Sequence, residues 1–425
     1  MRFSLMFLHK LSIRNYKSLR DITFAPSPIS AVIGPNAAGK SNLASAVHFL
    51  SEVYGLGLEP AIARKGGYEN IAFRHKRRSK VPLSFEIALD LSPNDLRAHL
   101  LPDDRPARFI HRFSVSALGT GISASFKVVE ESFQILGASE ARNGTGSIAF
   151  SEFLSVSRDS ERNLSVVRKK KGEWTKEFLR YEKVSQSPRL GDQDLFLKSF
   201  SRAQLDAFSR LVSGFRSYQF SPSHSRFPGV PTPNPSLSLN GDNLPAIVSW
   251  LKKERPKQWA TVMSGMRDVL PGLTEIATEY LHTKTLGLFF YEEGLGRPWR
   301  ADEVSDGTMQ ALASLVAAVD SRSSLLLIEE PENSVHPWIL RVVVDRLREV
   351  SKSKSVILTS HSPTLVNRLK PEEVWIIYRE GGESKLRKLT EIDPTLEESW
   401  ENGEFQLADF LDSGAIGQAV PGGVW

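Results

Sequence analysis

Gly34-Pro35-Asn36-Ala37-Ala38-Gly39-Lys40-Ser41 decides how the rest of the chain is read. In the spacing G-x-x-x-x-G-K-S, glycines let successive backbone N–H groups turn toward phosphate. The lysine reaches the β- and γ-oxygens, and the final hydroxyl holds Mg²⁺. The flanks agree with this reading. Ile29-Ser30-Ala31-Val32-Ile33 reads as a short buried strand, and Leu43, Ala46, Val47 and Leu50 recur at helical spacing, so phosphate would rest on a helix N-terminus. Asn36, Ala37, Ala38, Gly39, Lys40, Ser41 and Asn42 are therefore the expected phosphate contacts, with Ser41 also a metal ligand.

Far downstream, Leu325-Leu326-Leu327-Ile328 is an apolar run of the kind buried on both faces of a parallel sheet. Two carboxylates end it. Glu329 is expected to orient the Mg²⁺ shell, through a bound water because it is one methylene longer than Asp. Glu330 is expected to polarise the water that attacks the γ-phosphate. Val356-Ile357-Leu358-Thr359-Ser360 reads as a second strand, which places His361 at its carboxyl end, where open α/β sheets bind ligands. Lys40, Glu330 and His361 are the expected catalytic groups.

Ser305-Asp306-Gly307 precedes a helix, Thr308 to Val319, with Met309, Leu312, Leu315, Val316 and Val319 on an expected apolar stripe. A small polar residue and a glycine opening a helix make a second anion site. One γ-phosphate has no use for two helix N-termini of the same lobe on opposite sides. The economical geometry is a sandwich, with loop 34–41 of one copy below the nucleotide and Ser305 and Gly307 of another above it.

Composition is that of an ordinary globular chain: 425 residues, 40% hydrophobic and 24% charged, with a net charge of +5. That length predicts more than one structural unit. No stretch approaches the ~20 apolar residues of a membrane span, and Ser4 to Leu8 is too short for a signal peptide. The absence of cysteine excludes disulfides, thiol catalysis and cysteine-ligated zinc, and fits a cytoplasmic location. Basic residues cluster at Arg74-His75-Lys76-Arg77-Arg78-Ser79-Lys80 and at Arg168-Lys169-Lys170-Lys171. The second has the form of a hairpin tip, suited equally to a solvated turn and to phosphate-backbone contact.

Along the chain, Pro82 to Leu91, Ala107 to Leu118 and Ala124 to Leu136 alternate like antiparallel strands. Residues 137–185 are polar and glycine-rich. Helical periodicity runs from Asp194 to Phe215 and again from Asn243 to Leu270, broken at Pro256. Between the two, prolines at 222, 228, 231, 233 and 235 mark a connector. The expected division is 1–136, an N-terminal lobe with the phosphate loop and antiparallel sheet; 137–272, an insertion forming a helical lid; and 273–425, a C-terminal lobe. The insertion carries no sustained heptad, which excludes a long coiled-coil rod.

The ordered set resembles ABC-type ATPase heads of the SMC, RecF and OLD (overcoming-lysogenisation-defect) group. Asn15-Tyr16-Lys17-Ser18-Leu19, Ser305-Asp306-Gly307-Thr308 and Glu330-Pro331-Glu332-Asn333-Ser334-Val335-His336-Pro337 carry that resemblance. Gly66-Gly67-Tyr68-Glu69-Asn70, Asn240-Gly241-Asp242-Asn243-Leu244 and Ser413-Gly414-Ala415-Ile416-Gly417 extend it toward the compact OLD-like branch, several members of which serve in anti-phage systems. The resemblance implies an α/β fold: a P-loop ABC-type head with a mixed doubly wound sheet, an antiparallel β-subdomain and a helical lid. It implies ATP and Mg²⁺ as cofactors, with Arg14 and Asn15 on the base side. It further implies a homodimer or higher even-numbered oligomer that engages DNA or a separate nuclease or effector protein, with no membrane partner. A RecF-like DNA-repair ATPase and a nucleotide-sensing scaffold with little turnover are the alternatives. OLD proteins carry a nuclease module after the head; here the acids after His361 form no evident metal cage. The glutamine with which such heads sense Mg²⁺ and γ-phosphate has no clear match, and Gln134 is the available candidate.

Overall fold

A computed structural model describes residues 6–73, 81–91, 106–119, 125–142, 148–158, 164–168, 191–199, 203–281 and 284–412. Its strands are β1 (Met6–Tyr16), β2 (Leu19–Phe24), β3 (Ile29–Ile33), β4 (Leu83–Leu91), β5 (Ala107–Leu118), β6 (Ser125–Arg142), β7 (Ile148–Arg158), β8 (Leu164–Arg168), β9 (Phe215–Tyr218), β10 (Leu273–Tyr280), β11 (Leu286–Glu292), β12 (Trp299–Arg300), β13 (Leu325–Glu329), β14 (Ser355–Ser360), β15 (Val374–Glu380) and β16 (Glu383–Lys388). Thirteen of them join one sheet in the order β8-β7-β6-β5-β4-β1-β2-β16-β15-β3-β14-β13-β9, and β10-β11-β12 form a small second sheet.

The long sheet has two halves. From β8 to β2 every pairing is antiparallel. From β15 through β3, β14 and β13 to β9 every pairing is parallel. The parallel half is buried on both sides because strand side chains alternate between faces. Leu325, Leu327, Ile357 and Ile377 enter one core, shared with Leu43, Val47 and Leu50 of the helix Lys40–Leu56. Leu326, Ile328, Leu358 and Ile376 enter the other, shared with helices Leu244–Glu254, Pro256–Val269, Asp306–Val319 and Pro337–Ser351.

The antiparallel half buries one face and charges the other. Its polar face carries a cross-strand ladder from Lys10 to Glu86, Arg112, Gln134 and Glu152, linked at 2.5, 2.6, 2.5 and 3.1 Å. The charges cancel within the ladder, as cross-strand pairs favour.

Several elements depart from the sequence reading. β6 runs straight across the expected 136/137 boundary, and β7 and β8 extend the same antiparallel sheet into the segment read as lid. β9, also inside that segment, is a strand of the parallel half. The helix Asp306–Val319 is buried on all sides from Gly307 to Ala318 rather than along one stripe. Ala311, Ala313, Ala317 and Ala318 leave room for close neighbours all round, and Ser314 Oγ satisfies itself on the Gln310 carbonyl at 2.8 Å. The basic cluster at 74–80, residues 169–171 of the second cluster and the segment 413–417 lie outside the described residues.

One polar network lies wholly inside the first core. The Tyr54 hydroxyl meets His111 Nδ1, and His111 Nε2 lies 3.1 Å from Glu131 Oε1. Glu131 also accepts the N–H groups of Phe196 at 2.7 Å and Leu197 at 3.1 Å. Burial, and then the Glu131 charge, hold the Tyr54 phenol well above its ordinary range. The network ties the helix after the phosphate loop to the antiparallel half. Glu131→Ala strands the His111 ring nitrogen and both N–H groups, and is expected to destabilise the fold by about 3 kcal/mol or more, read by denaturant unfolding; a loss below about 1 kcal/mol would refute that role.

Candidate functional site

The parallel register sets the site. Ile33, Ser360, Glu329 and Tyr218 lie at or next to the ends of adjacent strands that all run the same way. The loops after β3, β14, β13 and β9 therefore leave along one edge, the carboxyl edge at which such sheets bind ligands.

The loop after β3 is held by close backbone packing. A Cβ at Gly34 would overlap the Ile377 carbonyl oxygen of β15, and one at Gly39, where φ is +122°, would overlap the Ser384 hydroxyl of β16. Ala37 adopts φ of +62°. Ser384 Oγ donates to the Ala38 carbonyl at 2.6 Å and lies 2.7 Å from Ser18 Oγ, which in turn accepts from Asn42 Nδ2 at 2.7 Å. Lys40 Nζ donates to the Gly34 and Pro35 carbonyls at 2.6 and 3.3 Å. Burial draws the Lys40 ammonium below its ordinary range, while the Glu330, Glu332 and Glu329 carboxylates oppose that shift.

At the end of β13, the buried Glu329 carboxyl lies close enough to the Ser41 side chain for that side chain to favour its charged form. The two residues expected to share a metal are thus adjacent, and a hydroxyl beside a carboxylate is an all-oxygen set suited to Mg²⁺. Burial first, then the Glu330 charge, raise the Glu329 carboxyl above its ordinary range, against Ser41, Lys17 and Lys40. Glu330 turns out of the strand with φ of +46°, donates its N–H to the Thr359 carbonyl at 2.8 Å, and accepts from Asn333 Nδ2 at 3.0 Å.

His361 is half exposed, with Nδ1 3.9 Å from Glu330 Oε1 and 3.6 Å from Glu332 Oε1. Glu332 organises this corner. Its Oε1 accepts from Ser360 Oγ at 2.7 Å and from the His361 N–H at 3.0 Å. The sequence reading gave Glu332 no role, although it stands in the quoted Glu-Pro-Glu-Asn motif.

Ser305 and Gly307 open the helix Asp306–Val319, with Gly307 against the Ser334 turn. The exposed Ser305 caps its own helix, accepting the Thr308 N–H at 3.2 Å, and Gly307 is buried, with a Cβ built there 3.0 Å from the Ser334 carbonyl oxygen. Arg14 is exposed, 3.2 Å from Asp21. Asn15 is buried at φ of +60° and donates its side-chain amide to the Pro82 carbonyl at 2.9 Å.

Gln134 belongs to the outer ladder of the antiparallel half, held between Arg112 and Glu152. The glutamine at the carboxyl edge is Gln219. It follows Tyr218 at the end of β9, is exposed, and is fixed through its N–H to the Leu239 carbonyl at 2.9 Å. A legible signal existed, since Phe215-Arg216-Ser217-Tyr218 is a short β-rich run after Gly214. Its length left it hidden at the end of a helical segment.

A protein-family model described as "AAA domain, putative AbiEii toxin, Type IV TA system" matches residues 29–367. No curated protein matches the chain. Among solved structures, the chain is similar to an SMC head bound to the C-winged helix domain of ScpA, with 13% identity, 90% of this chain and 97% of that chain covered, and a TM-score of 0.49. It is also similar to an SMC head with an extended coiled coil bound to the C-terminal domain of ScpA, derived from Pyrococcus furiosus, at 14% identity, 93% and 99% coverage and a TM-score of 0.47. The SMC head domain from Thermotoga maritima gives 13%, 90% and 98%, and 0.37.

The raised Glu329 carboxyl has a consequence for stability. The folded chain holds this proton more tightly than the unfolded chain does. Its contribution to stability therefore falls as pH rises from 4.5, the ordinary value, through the raised folded value. Without Mg²⁺, Glu329→Gln is expected to melt above the wild type at neutral pH and to lose that advantage below pH 4.5. Thermal melts across pH check this, and a neutral-pH melting point at or below the wild type's would refute it.

Proposed function

The chain belongs to that AAA-domain family, and from this premise we propose that it is an ATP-binding and hydrolysing switch whose nucleotide state controls the pairing of two copies. The observation that carries the proposal is the convergence of the 34–41 loop, Glu329, Glu330, His361 and Gln219 on one sheet edge, with Ser305 exposed at the start of a separate helix.

Lys40 and the loop N–H groups hold the phosphates, and Lys40 exchanges its present loop carbonyls for the β- and γ-oxygens. Ser41 and Glu329 hold Mg²⁺, which supplies charge neutralisation on the phosphates. Glu330 orients and polarises the attacking water, His361 contacts the γ-phosphate from a position fixed by Glu332, and Gln219 senses the same end of the nucleotide. Ser305 and Gly307 of a second copy cap the nucleotide from the other side, giving a homodimer or a higher even-numbered assembly. Arg14 stands on the base side.

The output lies outside these residues, in DNA engagement or in a separate effector protein. The family's description, with its AbiEii toxin and type IV toxin–antitoxin system, supports a defensive role, which this reading sets in the cytoplasm. The described polar face of the antiparallel half has cancelled its own charge and offers no unbroken basic stripe for a phosphate backbone. That favours a protein effector over DNA there. Among the described residues no helix is long and apolar enough to cross a membrane.

The test is the solution mass of the wild type and of Glu330→Gln, with and without ATP and Mg²⁺. Glu330→Gln is expected to accumulate as an ATP-bound, even-numbered oligomer, with turnover reduced about 100-fold or more. Turnover at the wild-type rate would overturn the assignment of Glu330. Gln219→Ala is expected to reduce turnover while Gln134→Ala leaves it unchanged; the reverse pattern would return the sensor role to Gln134.

A further inference from the structure

Seven residues after Gln219, Arg226 reaches the turn that opens the helix Asp306–Val319. Its Nε donates to the Ala301 carbonyl at 2.9 Å, its Nη2 donates to the Val304 carbonyl at 2.7 Å, and its Nη1 lies 2.6 Å from Asp306 Oδ1. One guanidinium thus binds three points spanning the residues on either side of Ser305. Its side chain is 19% exposed, so the contacts are partly shielded from water. The other acids of this loop are engaged elsewhere, Glu303 by Arg297 and the Arg300 N–H, and Asp302 by Arg300 Nε at 3.1 Å.

The segment between Gln219 and Arg226 is stiff. The Gln219 and Ser221 N–H groups are fixed to the Leu239 and Asn240 carbonyls, and the one-turn helix Pro222–Ser225 closes through Ser225 N–H to Ser221. Ser225 is fully buried, and Gly241 packs so tightly that a Cβ there would press on its hydroxyl. Gln219 at the sheet edge is therefore joined to Arg226 by a short, hydrogen-bonded segment.

We propose that Arg226 is a positioning residue that sets the Ser305–Gly307 turn for the partner copy's nucleotide and couples that turn to Gln219 of its own chain. This rests on the sandwich reading above. The coupling needs the planar fork: a lysine keeps the charge and can reach Asp306, but cannot hold both carbonyls as well.

The test compares wild type, Arg226→Lys, Asp306→Asn and the double variant, measuring ATP affinity, melting temperature, the protein concentration for ATP-dependent dimerisation, and turnover. Arg226→Lys is expected to bind ATP within about twofold of wild type, because its own loop 34–41 is intact. It is also expected to need about tenfold more protein to dimerise and to turn over about tenfold more slowly. Asp306→Asn keeps both carbonyl bonds and is expected to show a smaller effect. The double variant is expected to be no worse than Arg226→Lys, since both act through one contact. Arg226→Lys behaving as wild type would overturn the proposal. So would a parallel loss of ATP affinity and melting temperature, which would make Arg226 a general fold residue. A wild type that neither dimerises with ATP nor hydrolyses it would overturn the sandwich reading, and this inference with it.

Discussion

The parallel half of the long sheet is what the rest of the chain is arranged around. Each of its strands sends alternate side chains into two separate cores, so neither face can be exposed and no strand can slip by one residue without emptying both. Fixed register fixes the edge. Once Ile328 is opposite Tyr218 and Leu358, and Leu358 is opposite Ala31, the loops after four strands emerge side by side. Gly34, Glu330, His361 and Gln219 become neighbours although the first and last motifs stand hundreds of residues apart. The apolar runs therefore do more than fill a core, since their pairing sets the spacing of the polar groups.

The local parts of this arrangement were legible in the sequence because their causes are local. A buried strand, a glycine loop and an amphipathic helix need only neighbouring residues to be recognised, and the helix break at Pro256 follows from a missing N–H. The helix Asp306–Val319 was placed correctly but its burial was underestimated, because small alanines read as neutral in a stripe yet decide how closely other helices approach. What stayed hidden was non-local. Ser384 supports the phosphate loop from 346 positions away, and no period or motif marks a lone serine on a strand in the middle of the sheet. Gln219 was hidden for a different reason, since a four-residue strand between a helix and a proline-rich connector is too short to show alternation.

The expected lid also illustrates how composition can mislead about connectivity. Residues 137–185 lack helical periodicity, and prolines follow, so the segment reads as one insertion. Hydrogen bonding divides it otherwise, because β7 and β8 pair with the antiparallel half while β9 crosses to the far edge of the parallel half. Of that segment, the helices Leu244–Glu254 and Pro256–Val269 lie over the second core, joined there by the β10–β12 sheet that follows them in the chain. The connector between β9 and those helices is anchored at Gln219, Ser221 and Arg226, which makes it a link between sheet edge and helix start rather than slack chain.

Backbone strain follows the same geography. Seven described non-glycine residues have positive φ: Asn15, Lys17, Ala37, Glu330, Ser334, Asn234 and Lys284. The first five belong to the phosphate loop, the end of β13, or the turns packed on them, and each such residue costs on the order of 1–3 kcal/mol. A fold selected only for stability would place glycine at Ala37 or Glu330. The carboxylate at 330 is retained in a left-handed conformation because that turn lifts it out of the strand toward Asn333 and His361. Nearby, Glu329 is buried as an acid whose charge is disfavoured, and Lys40 as a base whose charge is disfavoured. Strain and unfavourable charge thus meet on that edge, above cores that are largely apolar, the first holding the Tyr54–His111–Glu131 network. That distribution is expected where a structure gives up local stability to hold reactive groups for a highly charged ligand.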